Sequence, residues 1–274
     1  MKKSPYLGLW MLLAVALAAF VGLSLINPPI EIFGVEVQQS SFYSELTAQA
    51  DASGMEALPA VNGASGRKPS ATRRHTLPAV KPAPLDTASK TILFIGDSML
   101  EGLSPRLAAY ANYNGHKLYS VIWYSSTTEI WGRGNTLKSY ISRHHPDYIF
   151  ICLGANELFV SNIEQKRSKY VDNMLSQVGQ IPYVWIGPPN WKKDTGINKM
   201  IASRVKQGSF FMSDGMTFER SKDGAHPTRR SAAMWMDSVA RWMKHNCAHP
   251  IKMNLPPKGT STHAAKVSVL QPSR

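Results

Sequence analysis

"TILFIGDSMLEGL", Thr91 to Leu103, decides how the rest of the chain is read. A short run suited to a buried strand stops at Gly96. Asp97 and Ser98 follow at its carboxyl edge, and a helical pattern begins at once. One reading is capping, because Asp and Ser are preferred ahead of a helix. The other is a nucleophile held at the end of a strand. The remainder of the chain separates the two.

Downstream, apolar runs recur at Ile92–Ile95, Leu118–Trp123, Tyr148–Leu153, Tyr183–Ile186 and Phe210–Met212. Helical stretches lie between them at about Met99–Asn114, Thr136–Arg143, Ile163–Val178 and Ile197–Lys206. A last helix covers about Arg229–His245, with Trp235, Val239 and Trp242 on one face. Gly115 is a natural stop after the first helix. Such alternation predicts a parallel sheet with helices on both faces. Right-handed crossovers then favour a flavodoxin-like three-layer α/β sandwich of five strands, ordered 2-1-3-4-5.

In such sheets ligands meet the carboxyl ends of the strands. There the sequence places Gly96-Asp97-Ser98, Gly154-Ala155-Asn156-Glu157, Gly187 to Trp191, and Ser221 to Thr228. Ser, Asn, Asp and His thus gather at one edge, as acyl transfer requires. A serine hydroxyl is a weak nucleophile until a base removes its proton. His226 is the candidate base for Ser98, and Asp223, three residues earlier, can fix its tautomer. Asn156 can aim its amide at the developing oxyanion beside the Ser98 N–H. Each piece has an ordinary alternative: a cap at Ser98, an Asx-turn at Asn156, a turn at Asp223-Gly224, a surface histidine at 226. Their order, each at the correct edge, is what capping alone does not produce. Asp214 is a weaker rival to Asp223.

With these motifs the chain resembles the SGNH (GDSL-like) hydrolases from about Thr91 to Asn246. The resemblance implies that Ser98 is the nucleophile, His226 the base and Asp223 its partner. It also implies a flavodoxin-like fold and no metal or other cofactor. A glycine after the second strand donates an oxyanion N–H in that family. Here the segment is "WYSSTTEIWG", Trp123 to Gly132, so Ser125 or Ser126 would supply it. Glu157 replaces the usual Asp. Trp191, Asn190 and Trp131, with Trp123, lie near the site edge and are candidate sugar contacts, or core and rim packing.

The rest of the chain supplies context. It has 274 residues and a net charge of +13. Between Thr91 and Pro250 stand 19 Lys and Arg against 12 Asp and Glu, so the excess is spread out. No dense basic run interleaved with aromatics argues for nucleic acid; acidic glycan or anionic lipid suits the charge better. Cys152 and Cys247 form no C-x-x-C, and opposite ends of the sheet would keep them unpaired. Lys2 and Lys3 precede 21 uncharged residues, Tyr6 to Ile26, long enough to span a bilayer. This reads as an uncleaved, single-pass signal anchor rather than a cleaved signal peptide. By the positive-inside rule the remainder is extracytoplasmic, periplasmic in a Gram-negative cell. The expected organisation is residues 1–27 anchor, 28–90 stem and Ala/Pro/Ser-rich linker, 91–250 catalytic domain, and 251–274 unstructured tail. "IEIFGVEV" (Ile30–Val37) reads as a short strand and the following "SSFYSELTAQA" as a short helix. Proteins resembling this one in layout add or remove O-acetyl groups on envelope polysaccharides, some beside a membrane acyltransferase. The expectation is therefore an esterase or O-acyltransferase of envelope glycans. A lipid-directed esterase and a non-catalytic binding module remain the alternatives.

Overall fold

The computed structural model describes residues 30–32, 35–37 and 83–272. The chain divides into two units, residues 1–73 and 74–274. In the first unit β1 (Ile30–Ile32) pairs antiparallel with β2 (Val35–Val37), with Ile30 opposite Val37. The single strand expected there is thus two. The expected anchor at residues 6–26 and the short helix after Val37 lie outside the described residues. Among the described residues no helix is long and apolar enough to cross a membrane.

The second unit carries a six-stranded sheet. Its elements run β3 (Thr91–Gly96), α1 (Leu100–Asn114), β4 (Lys117–Trp123), α2 (Thr128–Arg133), α3 (Thr136–His144) and β5 (Tyr148–Cys152). Then come a 3-10 turn (Ala155–Glu157), α4 (Ile163–Val178), β6 (Tyr183–Ile186), α5 (Ile197–Arg204), β7 (Phe210–Phe211), α6 (Arg229–Asn246) and β8 (Lys266–Leu270). The sheet order is β7-β6-β5-β3-β4-β8, parallel throughout. Its first five strands have the expected 2-1-3-4-5 connectivity.

Two separate cores explain the three layers. Ile92, Phe94 and Phe150 face α1 and α6, meeting Leu103, Leu107, Trp235 and Val239. Leu93, Ile95, Ile149 and Ile151 face the other way, onto Trp131, Val171, Met174 and Ile201 from α2, α4 and α5. Because both faces are covered, the central strands are apolar without alternation. Each fully buried Leu, Ile or Phe contributes about 1.5–3 kcal/mol.

Two expectations are corrected. The sheet has six strands, not five, and the segment after Pro250 is folded. Asp86 and Ile251 form a parallel bridge, so residues before Thr91 also join the fold. The Asn114 amide bonds both the N–H and the carbonyl of Asn254, at 2.9 Å each. His116 accepts the Lys90 N–H at Nδ1 and meets the Lys252 carbonyl at Nε2, 2.7 Å away. The chain then runs back to lay β8 beside β4, Tyr119 to Trp123 opposite Lys266 to Leu270. The C-terminal segment enters these contacts through its backbone groups, which composition does not reveal. β8 is an edge strand with Val267 and Val269 half exposed, so it lacks the apolar density of the inner strands.

The helix α2 was also unexpected. It has six residues, too few for periodicity, and is marked only by Thr127, whose hydroxyl accepts the Ile130 N–H.

Candidate active site

Gly96 is where the strand becomes a site. Its position faces Cys152 of β5, and an added Cβ would lie 2.1 Å from the Cys152 carbonyl oxygen and 2.4 Å from Leu100 Cδ1. Only glycine lets β3 end this close to its neighbour and turn directly into α1. The two residues that follow divide the roles that the sequence left open. Asp97 Oδ1 accepts the Met99 N–H at 2.9 Å, the capping-type contact. Ser98 makes no such bond; its Oγ lies 2.8 Å from His226 Nε2.

His226 is held from the other side by Asp223, whose Oδ2 is 2.7 Å from Nδ1. Asp223 Oδ1 accepts the backbone N–H groups of Ala225 and His226 at 2.9 and 3.0 Å. Gly224 provides the left-handed residue, φ 69°, that closes this turn. Ser221 donates its N–H to the His226 carbonyl, and Thr228 donates its N–H to Glu219. Arg220 pins the loop further, donating to the carbonyls of Ala225 and Asn190. The next residues start α6, where the Thr228 hydroxyl accepts the Ser231 N–H. The imidazole therefore stands on a short, tied loop at the start of an 18-residue helix.

The hydrogen bonds from the His226 N–H, the His226 ring and the Ala225 N–H lower the Asp223 carboxyl to about 2. It stays ionised across any physiological range. A carboxylate at Nδ1 keeps the proton there and leaves the Nε2 lone pair for the Ser98 hydroxyl. Asp214, the rival acid, is taken by the Asn190 amide at 2.9 Å.

The candidate oxyanion donors stand on separate loops, and Ser125 lines the same groove as Ser98. The backbone N–H groups of Ser98 and Ser125 carry no hydrogen bond, whereas the Ser126 N–H is used by the Trp123 carbonyl. Ser125 has φ 56°, the left-handed conformation that explains a glycine preference at such a position. Of the two serines considered for this role, Ser125 keeps its donor free. Ser126 is buried, and its Oγ accepts Trp131 Nε1 at 3.0 Å. Asn156 donates one N–H to the Ser126 carbonyl at 2.9 Å. That bond ties the Asn156 amide to the Ser125–Ser126 turn and leaves its second N–H.

Glu157, noted in the sequence only as a departure, is the brace beneath these loops. It is fully buried, and its carboxylate accepts the Thr128 N–H, the Thr128 hydroxyl and Arg167 Nε at 2.8–2.9 Å. Burial raises its pKa against those three bonds. Asp97 went unrecognised as a buried acid. Its Oδ2 is buried without a hydrogen bond. Burial pushes its pKa up to about 7, with the Met99 N–H pulling the other way and Glu157 adding to the rise. Adjacency to Ser98 was the only sequence signal for it.

The suggested sugar contacts fare differently. Trp131 is fully buried, packed at 5.3 Å edge-on to Trp123, and presents no face to a ligand. Asn190 spends its amide on Asp214 and Asn198. Trp191 is half-buried, its Nε1 donating to the Ala155 carbonyl at 2.9 Å and Lys192 over its ring. None of the three lines the groove at Ser98. Instead, the groove at Ser98 and His226 is walled by Tyr124, Arg229 and, from the C-terminal segment, Thr262 to Ala264. Both cysteines are free and buried. Among the described residues no group of three His, Cys, Asp or Glu side chains is placed to hold a metal ion.

No family model and no curated protein matches the chain. Solved structures do. The psychrotrophic esterase EstA from Pseudoalteromonas sp., in a structure inhibited by monoethylphosphonate, aligns at 17% identity and a TM-score of 0.40. The alignment covers 57% of this chain and 99% of that one. A protein described as lipolytic and of the G-D-S-L family, from Desulfitobacterium hafniense DCB-2, aligns at 12% identity and a TM-score of 0.36. It covers 55% of this chain and 98% of that one. What the site can do follows from its own atoms.

Proposed function

We propose that the chain is a serine-dependent acyl-ester enzyme. The observation that carries this reading is the unbroken relay from Ser98 Oγ to His226 Nε2 and from Nδ1 to Asp223, at 2.8 and 2.7 Å. Such a relay lets His226 take the hydroxyl proton as Oγ attacks an ester carbonyl. The oxyanion that forms is assigned to the Ser98 and Ser125 N–H groups, which carry no other hydrogen bond, and to the second N–H of the Asn156 amide. His226 then protonates the departing alcohol, and an acyl group remains on Ser98. Water resolving that intermediate makes an esterase; a sugar hydroxyl makes an O-acyltransferase.

The substrate we infer is an O-acetylated polysaccharide of the cell envelope, met by a domain anchored through residues 6–26 and facing outward. A membrane acyltransferase is the natural partner if the reaction runs toward transfer. The groove of about 1210 Å³ supports a polymer, since it exceeds what a short acyl ester fills. The test is mass spectrometry of envelope glycans from cells carrying Ser98→Ala. Gained acetyl assigns an esterase and lost acetyl a transferase; unchanged glycans remove this substrate class. Preference of the purified chain for long acyl chains would assign a lipid esterase instead.

A further inference from the structure

The groove beside Ser98 carries charges of both signs, and their partners differ. Arg106 is neutralised by Asp237, with Nε 2.7 Å from Oδ1, and the same carboxylate accepts the Tyr110 hydroxyl. Asp223 is held by His226 and two backbone N–H groups. Glu101 accepts the Tyr124 hydroxyl. Arg229, exposed at the first position of α6, lines the groove, and its side chain makes no hydrogen bond or ion pair among the described residues. The His263 ring, on the C-terminal wall, also has no partner there. Its backbone is fixed: Asn112 donates to the carbonyls of Ser261 and His263 at 2.9 and 3.1 Å.

We propose that Arg229, with His263 beside the same groove, forms a subsite for an anionic group on the polymer whose acyl ester reaches Ser98. The inference rests on the acyl-ester reading and names its substrate class: a polyanion bearing carboxylate or phosphate. A guanidinium presents a planar fork of donors that matches either group, and it remains charged at every relevant pH. The +13 charge of the whole chain adds long-range attraction for such a polymer. Glu101 disfavours anions in the same groove, so an acid group is selected by position, at Arg229 and away from Glu101.

The test compares three acetyl esters on the full chain: 4-acetoxybenzoate, 4-acetoxyphenyl phosphate and the neutral 4-acetoxybenzamide. Each kcat/KM is normalised to the ester's own alkaline hydrolysis. The wild type is expected to favour a charged ester by about tenfold, the usual scale of one charge-assisted contact. Arg229→Gln should bring that ratio close to one, Arg229→Lys should leave it between, and Glu101→Gln should raise it. Salt at about 0.5 M should shrink the preference by screening. Dependence on Arg229 for the benzoate identifies an acidic sugar; dependence for the phosphate alone identifies a phosphate-bearing polymer. A ratio unchanged by Arg229→Gln overturns the subsite while leaving the acyl-ester reading intact. Absence of turnover for all three esters defeats that reading, and the subsite with it.

Discussion

Ser125 is the residue whose backbone says most about the site. A side chain at φ 56° is held in a conformation that disfavours non-glycine residues by about 1 kcal/mol. It persists where the neighbouring turn, pinned by Asn156, leaves its N–H unspent. Ser125→Gly should relieve the strain and keep the donor, raising thermal stability by about 0.5–1 kcal/mol with kcat retained. Ser125→Pro removes the donor and cannot adopt φ 56°, so it should reduce kcat by at least about 10²–10³ and lower thermal stability at the same time. Ester hydrolysis and thermal melting read the two variants together. Asp97 supplies a second residue-scale expectation. Its folded pKa of about 7 lies above the ordinary 3.8, so the folded chain keeps a proton that the unfolded chain releases. That contribution to stability is complete below about pH 4 and declines as pH rises to about 7. The limiting slope is about 1.4 kcal/mol per pH unit. Asp97→Asn should flatten this decline in denaturant titrations across the window; an unchanged slope would remove the buried proton from the account.

At the scale of elements, the site is assembled by ties between loops more than by any one of them. Glu157 joins the turn carrying Asn156 to the start of α2 and, through Arg167, to α4. Arg167 also meets Glu129 at 2.7 Å, which links α2 back to α4. Glu157→Ala strands that guanidinium and the Thr128 groups, and should cost about 3–5 kcal/mol, measured by chemical unfolding. Glu157→Gln keeps the shape and should cost less. The C-terminal segment obeys the same logic. Asn114→Ala leaves the Asn254 N–H and carbonyl without partners, with an expected loss of about 1–3 kcal/mol and faster hydrogen exchange across residues 251–270. The inner strands were legible because burial on both faces forces continuous apolar runs. β8 was not, because an edge strand half open to solvent needs only backbone pairing with β4 and a few valines.

For the whole molecule, the arrangement of the sheet explains why so much of the site could be read before any coordinates. A parallel sheet brings its strand ends to one margin, so Ser98 and the Asp223–His226 loop fall within reach of each other once their strands are assigned. Residues chosen for size and polarity alone did not follow that rule. Trp131 looked available for stacking, yet it is interior, because α2, too short to announce itself, turns it onto the sheet. The groove wall formed by Thr262 to Ala264 was hidden for the same reason as β8. The central claim, that Ser98 is a nucleophile activated by His226, has a direct measurement. The full chain is treated with a fluorophosphonate ester, and the site and rate of covalent labelling are read by intact mass and peptide mapping. The account expects one adduct, on Ser98, absent in Ser98→Ala and formed at least about 100-fold more slowly in His226→Gln. An adduct elsewhere, or labelling of Ser98 at the same rate without the histidine, would contradict it.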